Sequence, residues 1–275
     1  MASGRSGPSI RPRSSVRCTA DPHFPSPLAV PEASGAAQVE LTLPSGAATR
    51  ELLVTSDSGG NGAALAWAIP GGPARAVRLP LDDAASDDLE GLAWHDGHLF
   101  ALTSSGAMRR FTPALVRDQD AYAIASPPLA CDDLHDSNCA ANFEGLCLRN
   151  TRRAGACDGY AASKALAGLY CLAFEGERLM IVRKPLALPL AEDVLSDCAF
   201  GAPGPAADVL LVTTNVFGGS QAYVVDEATG DLSPLDVPPL LNDEAIAVDG
   251  DGALYTLMDD NGKTSGGARY ACSGW

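Results

Sequence analysis

Five acidic residues, Glu40, Glu90, Glu144, Asp197 and Glu244, recur at intervals of 47 to 54 residues along the 275-residue chain. Each opens a short apolar run, and carboxylates spaced this evenly are what a fold with rotational repetition brings together around one axis. A second set of oxygen-bearing side chains, Asp57, Ser105, Glu175, Asn215 and Asp260, closes the next apolar run of each unit. Two carboxylates about 7 Å apart repel by roughly 2 kcal/mol at an effective dielectric near 20, so five around an axis call for a positive neighbour. Oxygen ligands alone, in a flexible arrangement, suit Ca2+, whereas zinc would want converging His or Cys. The expected chemistry is therefore calcium binding at an inner ring of Glu40, Glu90, Glu144, Asp197 and Glu244, with the second set as an outer ring. The competing structural use is that single acids among these cap strand ends by accepting backbone N–H groups.

Only four histidines are present. His135 lies in CDDLHDSNC, the loop leading to Glu144, where Asp132, Asp133 and Asp136 could orient it as a general acid or base; it is the candidate catalytic residue. His95 and His98 flank Asp96-Gly97 and read as surface turn residues, while His23 falls in the N-terminal segment. Neither a Gly-rich phosphate loop opening a helix nor a G-x-S-x-G elbow occurs, which disfavours nucleotide-loop and serine-triad chemistry.

The elements that must position these residues are short strands. With 28 Gly and 20 Pro the chain is punctuated too often for long helices, and its apolar runs have strand length, far below the roughly 20 residues of a membrane span. ELLVTSDSGGNGAALAWAI (51–69), DLEGLAWHDGHLFALTSSGAMRRF (88–111), LSDCAFGAPGPAADVLLVTTNVFGGSQAYVV (195–225) and NDEAIAVDGDGALYTLMDDNGKTSGGARYAC (242–272) repeat one plan. NFEGLCLR (142–149), continued after an insertion by GLYCLAFEGERLMIVRK (168–184), is a stretched fifth copy. Each copy is an acid, an apolar strand, a Gly-rich or Asp-Gly turn, a second strand, a polar loop and a third strand. Small sheets of this kind bury their faces only by packing radially, which predicts an all-β propeller of five blades; six blades and a β-sandwich are the alternatives. Only 31 residues follow Glu244, so a strand near residues 36–43 is expected to complete the last blade and close the ring.

Residues 1–35, rich in Ser, Pro, Gly and Arg, are expected to be disordered, leaving 36–275 as a single domain. No apolar signal-peptide core lies between Arg5 and Cys18, and Cys18 reads as an incidental cysteine of the tail. The net charge of −15 repels nucleic acid and anionic membranes and attracts cations. Among eight cysteines, a local disulfide such as Cys131–Cys139 makes sense only in an oxidising compartment, which favours a periplasmic or secreted protein over a cytoplasmic one. The remaining pairings are not fixed by sequence.

DLEGLAWHDGHLFALTSS, NFEGLCLR and NDEAIAVDGDGALYTLMDD resemble the inner-strand motifs of phytase-like (esterase-like) bacterial propeller proteins across residues 38–272. More distantly the chain resembles calcium-activated nucleotidases and gluconolactonase-like calcium hydrolases. The resemblance implies a propeller with Glu90, Glu144 and Glu244 as central calcium ligands. Two functions follow as expectations. One is a calcium-dependent hydrolase of an ester, lactone or phosphoester, the ion polarising the scissile oxygen and His135 or a ring carboxylate moving the proton. The other is a non-catalytic propeller, monomeric, whose acidic channel face binds a small molecule, protein, peptide or glycan while the ion ties the blades together.

Overall fold

The computed structural model describes residues 16–24, 26–57, 60–69, 72–81, 87–123, 129–151, 155–182, 185–190, 194–201, 208–215, 219–238, 242–259 and 264–274. Its elements are strands joined by turns. At the Asp96-Gly97 step both residues take positive φ (47° and 73°), the conformation a two-residue hairpin between His95 and His98 requires.

In chain order, β1 (Arg17–Ala20) comes first and belongs to the last sheet. The first blade is β2 (Ala33–Thr42), β3 (Ala48–Ser56), β4 (Ala63–Ala68) and β5 (Ala74–Arg78). The second is β6 (Leu89–His95), β7 (His98–Thr103), β8 (Ala107–Phe111) and β9 (Arg117–Ala123). The third is β10 (Phe143–Leu148), β11 (Gly159–Ser163), β12 (Gly168–Glu175) and β13 (Arg178–Ile181), with β14 (Leu186–Ala187) added beside β12. The fourth is β15 (Val194–Gly201), β16 (Val209–Asn215), β17 (Gln221–Val225) and β18 (Leu232–Pro234). The fifth is β19 (Asp243–Val248), β20 (Ala253–Met258) and β21 (Gly266–Ser273), completed by β1. The ladders between neighbouring strands of each blade are antiparallel, and β2, β6, β10, β15 and β19 pack side by side around the axis. The chain is a five-bladed β-propeller, as the repeat predicts.

Closure differs from expectation. The strand found there, Ala33–Thr42, is the innermost strand of the first blade, and Arg17–Ala20 closes the ring by pairing with Tyr270–Ser273. Part of the segment expected to be disordered is therefore structural; residues 1–15 lie outside the described residues. As an outermost strand, β1 leaves nearly every side chain at the surface, so its composition matches that of a tail. Cys18 is no incidental cysteine, because it is bonded to Cys272. Cys131–Cys139, Cys147–Cys198 and Cys157–Cys171 account for the remaining six, a full pairing that suits an oxidising environment outside the cytoplasm. His95 also departs from its surface reading. It is buried, stacked on Phe174 with ring centroids 4.7 Å apart, and its Nδ1 is 2.7 Å from the Arg149 carbonyl.

Five apolar clusters fill the spaces between blades. Leu92, Leu99 and Phe111 of the second blade, for example, meet Val39, Leu41 and Leu53 of the first, while Ala245, Tyr255 and Leu257 of the fifth meet Leu52, Val54 and Trp67. Each sheet is thus buried on both faces, which no blade achieves alone. Among the described residues, no helix is long and apolar enough to cross a membrane.

Candidate functional site

Each innermost strand carries one irregular step near its start, where two residues oppose one on the next strand. Such a bulge re-aims one side chain out of the alternation. The bulged residues are Ser34, Glu90, Glu144, Ser196 and Glu244, so the inner ring consists of three carboxylates and two hydroxyls. Glu90, Glu144 and Glu244 stand where expected. Glu40 does not: it is exposed at the other end of β2, opposite Arg50, on the rim of a separate cavity of about 230 Å³ at the far mouth of the channel. Asp197 is one residue past its ring position, which belongs to Ser196, and in a strand one residue is enough to change face. The two serines use their hydroxyls on the neighbouring blade, Ser34 donating to the Leu89 carbonyl and Ser196 to that of Asp243 (2.8 Å).

The residues that follow the second strands form the outer ring. Read from the ladders they are Asp57, Ser104, Lys164, Asn215 and Asp259. Asp57 and Asn215 agree with expectation. Ser105 is displaced by Ser104, and turns inward to bond Thr103 Oγ1 at 2.8 Å. Asp259 takes the place foreseen for Asp260, which lies outside the described residues. Glu175 is exposed, because the strand it ends is the third of its blade; the second is Gly159–Ser163, inside what reads as an insertion. That shift brings Lys164 into the site.

The two rings enclose a cavity of about 110 Å³ lined by Glu32, Ser34, Asp57, Asp88, Glu90, Asn138, Glu144, Lys164, Glu244 and Asp259. On one side, carboxylate oxygens of Asp57, Asp88 and Glu90 all lie within 4.8 Å of one another. Asp88, which the repeat does not single out, stands just before β6 and accepts a hydrogen bond from Ser104 Oγ. On the other side, Lys164 Nζ donates to Glu144 Oε2 at 2.9 Å, and Asn215 donates to Glu244 Oε1. Glu144 Oε1 is buried without a hydrogen-bond partner among the described residues.

Burial, together with the charges of Glu144, Asp57, Asp88 and Glu244, pushes the Glu90 carboxyl well above the usual range. Burial and Glu144 raise Glu244 to about 8, against the opposing effect of Lys164. Glu144 is raised by burial, with Lys164 holding it back. Burial works against the Lys164 charge, but Glu144, Glu244 and Glu90 outweigh it and lift its pKa. The positive neighbour that the sequence demands is thus supplied on one side by the chain itself.

His135 sits on the correct face but on an exposed turn, its backbone amide bonded to Asp133 Oδ1 at 3.0 Å. The loop closed by Cys131–Cys139 sends Asn138 to the cavity instead.

Neither a family model nor a curated protein sequence matches the chain. Solved structures do. The glutaminyl cyclase of Myxococcus xanthus superposes with a TM-score of 0.55 at 14% identity, covering 94% of this chain and 100% of that one. The RRP9 WD40 repeats give 0.48 at 9% identity over 94% and 98% of the two chains, and a streptogramin B lyase 0.43 at 13% over 88% and 65%. At these identities the likeness shows the fold alone: the chain is a β-propeller.

Proposed function

We propose that this protein is a cation-binding propeller of an oxidising compartment, periplasmic or secreted, that holds one Ca2+ at the mouth of its channel through Asp57, Asp88 and Glu90. The observation that carries this reading is the convergence of three carboxylates within 4.8 Å beside a cavity that also holds a buried Glu144 oxygen with no hydrogen-bond partner among the described residues. Oxygens on opposite sides of a Ca2+ ion stand up to about 5 Å apart, so the spread fits, and an all-oxygen set with every cysteine in a disulfide does not suit zinc. Three inner-strand motifs that resemble those of phytase-like propellers, Leu-Glu-Gly-Leu, Phe-Glu-Gly-Leu and Asp-Glu-Ala-Ile, agree with it. In this reading the monomer uses the ion to join the first two blades, and the acidic face around it receives the ligand.

Calorimetric titration of chelator-treated protein with CaCl2 is expected to show one site. At about 100 times Kd the ion adds ~2.7 kcal/mol, or about 5–10 °C in Tm for a chain of this size. Asp57→Asn and Glu90→Gln should each weaken binding at least tenfold; absence of both heat and thermal shift in the unaltered protein would refute the proposal.

The hydrolase reading has one observation in its favour. Glu244, raised to about 8 by burial and Glu144, faces the same cavity, a place for an acid. His135, out on its turn, is not needed for it. Turnover of an ester, lactone or phosphoester that requires Ca2+ and falls with Glu244→Gln would support catalysis; inactivity across such a panel supports the binding role.

A further inference from the structure

The fourth blade differs from its neighbours at one place on the axis. Directly after the ring position the other blades have Gly35, Gly91, Gly145 and Ala245, where the innermost strands approach most closely: a Cβ on Gly35 would lie 3.1 Å from the Glu90 carbonyl oxygen and 3.2 Å from Leu92 N. The fourth blade has Asp197 there, fully buried. Its Oδ1 accepts the Cys198 amide at 2.7 Å, its Oδ2 accepts the Ile246 amide at 2.9 Å, and the Leu146 amide donates to it as well. These amides belong to three consecutive innermost strands, and each lies two residues beyond a ring position: Glu144, Ser196 and Glu244.

We propose that Asp197 is a positioning residue for the cation site, a single carboxyl that fixes the height and orientation of the three strands presenting Glu144, Ser196 and Glu244 to the cavity. The inference rests on the cation reading above. An acceptor with two oxygens and several lone pairs can take three amides at once, whereas a hydroxyl or an amide side chain cannot without turning a donor towards a donor. Gly145 belongs to the same device, since a Cβ there would fall against the Asp197 carboxyl and backbone. Asp197 itself lies outside the cavity lining, so any effect on ion binding must pass through the strands.

The test is Ca2+ affinity by calorimetry at a temperature where circular dichroism shows every variant folded. Asp197→Asn should weaken binding at least tenfold, as should Gly145→Ala, which displaces the carboxyl without removing it. Cys18→Ser/Cys272→Ser, a destabilised control far from the axis, should keep the unaltered affinity. Hydrogen exchange at Leu146 and Ile246 should quicken in Asp197→Asn. Faster exchange with unchanged affinity would make Asp197 merely structural and overturn the proposal; if Asp197→Asn does not fold, Gly145→Ala decides. Affinity lost in Asp57→Asn but kept in both axis variants overturns this inference alone, and a protein that binds no Ca2+ overturns it together with the cation reading.

Discussion

Replacing Cys18 and Cys272 together by serine is expected to lower the unfolding free energy by about 3–5 kcal/mol. The bond joins residues 254 apart, nearly the whole chain, and constraining so long a loop removes much of the entropy of the unfolded state. It also reinforces a short edge strand. β1 has four residues, nearly all exposed, and its other ties are its ladder with Tyr270–Ser273, the Asp236 bridge and the Asp21–Arg269 pair at 3.0 Å. When it leaves, β21 becomes an open edge and the apolar cluster containing Val16, Ile246, Leu254 and Tyr270 loses its cover. Urea unfolding of the double variant beside the unaltered protein measures the loss. Equal midpoints would mean that the first blade, packed on the fifth, closes the ring without the strap.

The features that could be read from residues alone are those set by patterns the eye can align. Alternating apolar runs, Asp-Gly steps and a period near fifty residues define five blades, and the Glu-Gly-Leu signature places Glu90 and Glu144 correctly. The errors occur where the ring residue is not acidic. Ser34 and Ser196 hold their positions by bonding a carbonyl of the next blade, and a search for carboxylates passes over them to Glu40 and Asp197. The signal that finds Ser34 is the following glycine, which is required by close approach rather than by chemistry. Lys164 is hidden for another reason. Apart from Tyr160, Gly159–Ser163 is a strand of small residues, and its shape comes from the ladders on either side, so its end cannot be located from hydrophobic periodicity. Asp88 precedes the apolar run and joins the site with Ser104 folded back against it. The disulfides are beyond reach altogether, because Cys147–Cys198 joins two blades and Cys18–Cys272 joins the two ends.

Asp243 should make the protein less stable as the pH rises, and Asp243→Asn should abolish its share of that dependence. Its counterparts in the first four blades are Ala33, Leu89, Phe143 and Leu195, all apolar and buried, so the fifth blade places a carboxyl at a core position. Its Oδ1 is buried without a hydrogen-bond partner among the described residues, and burial raises its pKa from 3.8 to about 7. Between those two values the folded state holds a proton that the unfolded chain has released, so stability falls with rising pH across this window and levels off above it. At 1.36 kcal/mol per unit the full loss is about 4 kcal/mol. Asparagine carries no charge at either end of the range. Asp243→Asn should therefore match the unaltered protein near pH 4 and exceed it by about 2–4 kcal/mol at pH 8, as measured by denaturant unfolding at both values. The other buried acids titrate in the same direction in both proteins and cancel from the difference. Parallel pH profiles would show that Asp243 is already neutralised by a neighbour when folded, and would return the position to ordinary core packing.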